Sequence, residues 1–183
     1  MIHPVIPSVS AGPHAVMPAS PGGEMPAAKK LHWTDPAEWK RTPPASSMRQ
    51  AQYAAPKAAG DTEDAELVVF YFGPGQGGKV DDNLTRWYGQ FTQPDGGSTR
   101  DQAKIDKRTV NGLNVTTVQV QGTFDGGGMM GQSASGPKPG WALLGAIAET
   151  PAGPWFFKMT GPAKTVAAAR APFDALVASF KLQ

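Results

Sequence analysis

The run Glu-Leu-Val-Val-Phe-Tyr-Phe at 66–72 has the most strand-like pattern in the chain. Its β-branched and aromatic residues suit a pleated surface. The run is continuously apolar rather than alternating, which predicts a strand covered on both faces. Gly73-Pro-Gly-Gln-Gly-Gly78 ends it, and the period then changes. Val80, Leu84, Trp87 and Phe91 recur at i, i+4, i+7 and i+11, which predicts an amphipathic helix over 80–91 lying on the sheet. Asp81 and Asp82 fall in its first turn, where the helix dipole favours negative charge. Arg86 and Gln90 point away from the stripe.

Upstream, 46–54 reads as a strand with Ser47, Arg49, Ala51 and Tyr53 on one face. Residues 56–63 read as a polar loop, and 92–104 as polar turn material without a strand. Lys104–Val110 and Leu113–Phe124 form a hairpin joined at Asn111-Gly112, a type I′ turn signal. Val115, Thr117, Gln119 and Gln121 share one face of its second strand; Asn114, Thr116, Val118 and Val120 share the other. Residues 125–140 read as a long loop. Strands follow at 141–149 and 155–159. Thr160-Gly161-Pro162 then opens a last helix with the stripe Val166, Ala169, Phe173, Val177, Phe180, kinked or split by Pro172. This order predicts an α+β fold, a twisted, mainly antiparallel sheet covered by two helices. Residues 1–30 are rich in Pro, Ala, Ser and Gly and show no periodicity. They read as an extended tail, with the folded domain spanning 31–183.

The turn after 66–72 matches G-x-G-x-x-G through Gly73, Gly75 and Gly78. A dinucleotide site also needs a second parallel strand ending in an acidic ribose ligand, and 92–104 supplies none. The bland reading, a sterically permissive connection, is preferred. Gly78-Lys79 is followed by Val80 where a phosphate-binding loop needs a hydroxyl for magnesium.

Composition narrows the chemistry. The chain has 183 residues, no cysteine and three histidines, His3, His14 and His32, all at or before the domain start. Thiolate metal sites, cysteine nucleophiles and disulfides are excluded, and histidine-based catalysis or metal binding within the domain is disfavoured. The reading therefore names no cofactor, no metal and no catalytic residue. A net charge of +2 gives no electrostatic case for nucleic acid. No run approaches a transmembrane span.

The opening Leu31-His-Trp-Thr-Asp-Pro-Ala-Glu-Trp-Lys-Arg41 and the closing 160–180 segment, TGPAKTVAAARAPFDALVASF, resemble the entry and final helix of the PsbP/Mog1-like family. The order of strand, helix and long hairpin between them agrees. The resemblance covers Leu31 to Leu182. It implies an α/β/α sandwich and the role common in that family: an exported accessory or assembly protein, typically not an enzyme. It carries over no catalytic or metal set. The acylated cysteine of the family's lipoproteins is missing here.

These readings set the functional expectations. The favoured one is a non-enzymatic accessory or assembly subunit of a larger, membrane-associated protein complex. The alternative is a carrier of a small apolar ligand held between sheet and helix. The start of the chain lacks a basic n-region and a long apolar core. A periplasmic or other extracytoplasmic setting is expected, with the cytoplasm as the alternative. Val5, Ile6, Val9, Val16 and Met17, spaced among prolines, are candidate anchors of a docking arm. Asn83 and Arg86 beside Trp87 are candidates for a partner site at the mouth of the glycine turn, or for caps on its carbonyls. Met129 and Met130 are candidates for an adaptable contact. Trp33, Trp39, Trp141 and Trp155 read as core and sheet-face residues.

Overall fold

The computed structural model describes residues 29–126 and 136–183. In chain order these form β1 (Leu31–His32), β2 (Lys40–Thr42), β3 (Arg49–Ala55), β4 (Ala65–Tyr71), α1 (Val80–Tyr88), β5 (Phe91–Thr92), α2 (Thr99–Gln102), β6 (Lys104–Val110), β7 (Leu113–Phe124), β8 (Lys138–Glu149), β9 (Trp155–Pro162), α3 (Ala163–Ala168), α4 (Arg170–Ala178) and β10 (Lys181–Leu182). An eight-stranded sheet runs β2-β3-β4-β9-β8-β7. The far edge of β7 carries β6 along Leu113–Gln119 and β5 at Thr123–Phe124. Every pairing is antiparallel. β1 and β10 pair separately, Leu31 opposite Leu182, so the domain's opening and end are clasped.

Strand side chains alternate between faces, so each central strand feeds two cores. On one face Leu67, Val69, Val115, Leu144, Phe157 and Met159 pack beneath Val166, Phe173, Leu176, Val177 and Phe180 of the closing helices. On the other, Val118, Val120, Leu143, Ile147 and Phe156 pack beneath Leu84, Trp87 and Tyr88 of α1. The result is the mostly antiparallel sheet with helices on both faces that the sequence predicts.

The hairpin forms at Asn111-Gly112, whose φ angles of 47° and 81° are those a type I′ turn requires. The closing helix divides at Ala169. Pro172 has no N–H to donate, and its ring crowds the carbonyl of Ala168, so the break falls one turn upstream of the proline.

Several boundaries differ from the pattern. The helix predicted over 80–91 stops at Tyr88, because Phe91 leaves the helical path to pair with Phe124 in β5. Their rings lie 5.2 Å apart. Gln90, placed off the apolar stripe, is buried. Residues 92–104 hold the second residue of β5 and all of α2. β8 begins at Lys138, inside the segment expected to be loop, and β9 continues through Thr160–Pro162, so the last helix starts at Ala163.

α1 sits close on the sheet because β8 carries a glycine beneath it. A Cβ at Gly145 would stand 2.5 Å from Cζ3 of Trp87 and 3.2 Å from Cγ1 of Val118. Gly145→Ala must lift the helix or turn the indole. We expect a loss of about 1–3 kcal/mol, the usual range for overpacking, read from chemical denaturation against the wild type.

Candidate functional site

The glycine turn is one end of the domain. Gly73, Gly75, Gly77 and Gly78 all have positive φ. Gly77 also packs closely: a Cβ there would meet the Phe156 ring at 2.8 Å and Phe72 at 3.3 Å. Asn83, 3% exposed, holds the turn. Its Nδ2 donates to the Gly77 carbonyl at 2.7 Å and to the Lys79 carbonyl at 2.9 Å. Its Oδ1 accepts from Arg86 Nη1 at 3.3 Å. The structure thus brings the predicted pair together, with Asn83 as a cap on carbonyls and the exposed Arg86 as its accessible member. The 150–154 turn locks on behind. Tyr71 donates to Ala152 O at 2.6 Å, and Gly153 lies so close that a Cβ would meet Gly73 O at 2.7 Å. β4 is flanked by antiparallel β3 and β9, so the strand and turn do not make a dinucleotide unit.

Two clefts border α1. The larger, about 670 Å³, lies between the start of α1, the β6–β7 hairpin and the β8–β9 turn. Its lining carries both signs, with Lys79, Lys107 and Arg108 among its residues as well as Asp81 and Glu149. The smaller, about 450 Å³, lies between the end of α1, β5 and α2. Both open to solvent. Neither is the enclosed apolar cavity between sheet and helix that carriage of an apolar ligand calls for.

α1 covers β7, β8 and β9, and the β3–β4 half of the same face reaches that core through Phe70. That half carries Arg49, which donates to Gln52 Oε1 at 2.9 Å and to Glu66 Oε1 at 3.2 Å. Gln52 also donates to Glu66 at 3.2 Å. Phe70 stacks on Phe72 with centroids 6.0 Å apart, and Phe72 stays 39% exposed. At its boundary with α1 stands Lys158, whose ammonium donates to Gln90 Oε1. Burial, reinforced by the Arg49 charge, lowers its pKa to about 8. Nothing in the sequence separated Lys158 from an ordinary outward residue of a strand.

The opposite face opens on Trp33 and Tyr53. Trp33 Nε1 donates to Tyr53 Oη at 3.0 Å, and Tyr53 donates to Asp35 Oδ1 at 2.5 Å. Burial and the Asp35 carboxylate push the phenol up to about 12. Trp33 meets Phe157 and Trp155 edge-on, at 5.1 and 5.8 Å. These tryptophans are packing residues, as read. Val5, Ile6, Val9, Val16, Met17, Met129 and Met130 lie outside the described residues. Among the described residues no helix is long and apolar enough to cross a membrane.

No family model matches the chain, and no curated protein does. Solved structures do. The crystal structure of a Pseudomonas aeruginosa protein of unknown function is similar at 13% identity and a TM-score of 0.45, over 83% of this chain and 95% of its own. The solution structure of cyanobacterial PsbP (CyanoP) from Synechocystis sp. PCC 6803 is similar at 13% identity and a TM-score of 0.45, over 90% of this chain and 98% of that one.

Two measurements test the roles assigned here. Asn83→Ala leaves the Gly77 carbonyl without its side-chain donor and the Lys79 carbonyl with only the backbone one, and should lower stability by about 1–3 kcal/mol in denaturant titrations. Lys158 titrates at about 8 in the folded chain and at 10.5 unperturbed. Between those values the unfolded state holds more protons, so this residue makes stability rise with pH across that window. Below it the buried charge is a standing penalty. Lys158→Met should therefore stabilise the protein at pH 7, by on the order of 1–3 kcal/mol, with the advantage shrinking from pH 8 and gone above about 10.5. An advantage that does not change with pH would place the effect in packing instead.

Proposed function

We propose that this protein is a non-enzymatic accessory or assembly subunit that docks on a larger protein complex, in an extracytoplasmic setting. The observation that carries the reading is the half-covered sheet face. A sheet face this broad ordinarily buries its apolar side chains beneath a second layer. Here α1 screens only part of it, and the β3–β4 part keeps Phe72 exposed beside a semi-buried network of Arg49, Gln52 and Glu66. Aromatic and arginine side chains set in a polar rim are the usual composition of a protein contact.

In this reading residues 1–30 form a docking arm on a single domain spanning 31–183. Prolines pre-extend the arm and reduce the entropy lost on ordering, and Val5, Ile6, Val9, Val16 and Met17 supply spaced apolar anchors. Arg86, oriented by Asn83, and the Met129-Met130 pair are secondary contacts.

The test compares the full chain with one lacking residues 1–28, a cut that spares the backbone pair between Lys30 and Gln183. The truncated chain should melt within about a degree or two of the full one, since surface changes away from the core move stability little. In pull-downs from the native host it should recover less of the same partner, and Phe72→Ser should weaken recovery further. A truncated chain that unfolds, or that captures the partner as well as the full chain, would refute the arm.

A further inference from the structure

The cleft between the end of α1, β5 and α2 has a built interior. Its volume, about 450 Å³, falls in the range of small-molecule sites. Gln93 Nε2 holds its wall by donating to Thr99 Oγ1 at 3.1 Å and to Gln121 O at 2.8 Å, and Thr99 donates to Phe91 O at 3.0 Å. Tyr88, Phe91, Gly96 and Gly97 are among its lining residues. None of this framework is supplied by the docking face described above.

Two donors at this cleft remain to be used, one exposed and one beneath its surface. Tyr88 is 7% exposed, and its hydroxyl is buried without a hydrogen-bond partner among the described residues. Such a group is uncommon in a folded protein and points to something that completes it. Burial pushes its pKa up; Arg100 works against that shift and Asp81 with it. The phenol is therefore a protonated donor at neutral pH. The Arg100 guanidinium lies 5.7 Å from the centroid of the same ring. It gives one hydrogen bond, to Thr85 Oγ1 at 2.8 Å, and pairs with no carboxylate among the described residues. A guanidinium carries five N–H donors and an ionised carboxylate only accepts.

We propose that this cleft binds a small carboxylic acid with a flat apolar body. The carboxylate is taken by the Arg100 guanidinium and the Tyr88 hydroxyl, and the body lies along Phe91 and the Gly96-Gly97 backbone. Arg100 is exposed and held by one side-chain bond, so it can turn toward an entering anion.

Benzoate is the probe, with benzamide as its neutral counterpart. Each is titrated into the isotope-labelled full chain and followed by the backbone amide signals. Benzoate should move Thr85, Gly96, Gly97 and Thr99 saturably, and benzamide should bind at least about tenfold more weakly. Tyr88→Phe keeps the ring and removes only the unpartnered hydroxyl, so the spectrum elsewhere should be unchanged while benzoate affinity falls about tenfold or more. Arg100→Met, a change at an exposed position, should weaken benzoate alone. The proposal is overturned if benzoate gives no saturable shift in this segment, if benzamide binds as well, or if both variants bind like the wild type. In those cases the Tyr88 hydroxyl is met by water, and the accessory reading stands or falls separately.

Discussion

A strand with antiparallel neighbours on both sides must send alternate side chains to opposite faces, and in this fold both faces are roofed by helices. That constraint runs through β9, β8 and β7. In β9, Trp155, Phe157 and Met159 serve one core, while Phe156 serves the other. β8 meets a tighter form of the same demand. It places Ala142, Ala146 and Ala148 under the closing helices and Gly145 under Trp87. Small residues on β8 let helices approach on both faces, and larger ones beside them, Leu143, Leu144 and Ile147, with those of β4, β7 and β9, fill the remaining space. The helices are positioned by this division of volume more than by their own propensity, since α1 and α4 are only nine residues long and helices that short are marginal alone.

The parts of the fold visible in the sequence were those governed by local rules. Asn111-Gly112 fixes a turn type by backbone conformation alone, and its hairpin has the predicted limits. Pro172 interrupts a helix wherever it occurs. What stayed hidden depended on long-range pairing. Phe91 fits the α1 stripe by spacing, and only the partner strand at Phe124 shows that it belongs to β5. Gln90 looked like a surface residue because nothing in 80–91 reveals that Lys158, 68 positions later, lies beneath it. The contact between Asn83 and Arg86 was legible because both follow the glycine turn one helical turn apart. Tyr88 was not, since it adjoins Trp87 and differs from any other buried aromatic only by a hydroxyl whose lack of a partner appears in three dimensions.

The charges about α1 follow the field of the helix itself. Asp81 and Asp82 stand in its first turn and Arg86 in its last. A helix end offers partial charge of the sign each group needs. At the N-terminal end Asn83 satisfies the glycine turn, and just past the C-terminal end Gln90 accepts from Lys158. One amide pins α1 to the connection that enters it, and the other ties its exit to β9.

The two faces consequently differ in what they tolerate. On the α3–α4 face most polar groups that enter the core are matched. Tyr53 lies between Trp33 and Asp35, and Thr165 donates to Asp61 at 2.6 Å while accepting from the Ala58 amide at 2.9 Å. Arg108, with its Nε unpaired, is the exception, and its guanidinium still reaches Asp174 at 3.3 Å. On the α1 face lie a depressed lysine, a phenol without a partner, four left-handed glycines and an aromatic left in solvent. The lysine and the phenol lower stability, and neither is required by the second core. A chain selected for stability alone would have methionine at 158 and phenylalanine at 88. The stable face makes that departure affordable, because Phe173, Leu176, Val177 and Phe180, all at most 1% exposed, anchor the fold from the other side. Residues that work against folding persist when they serve something else, and their concentration on one face is why both proposals of function are placed there.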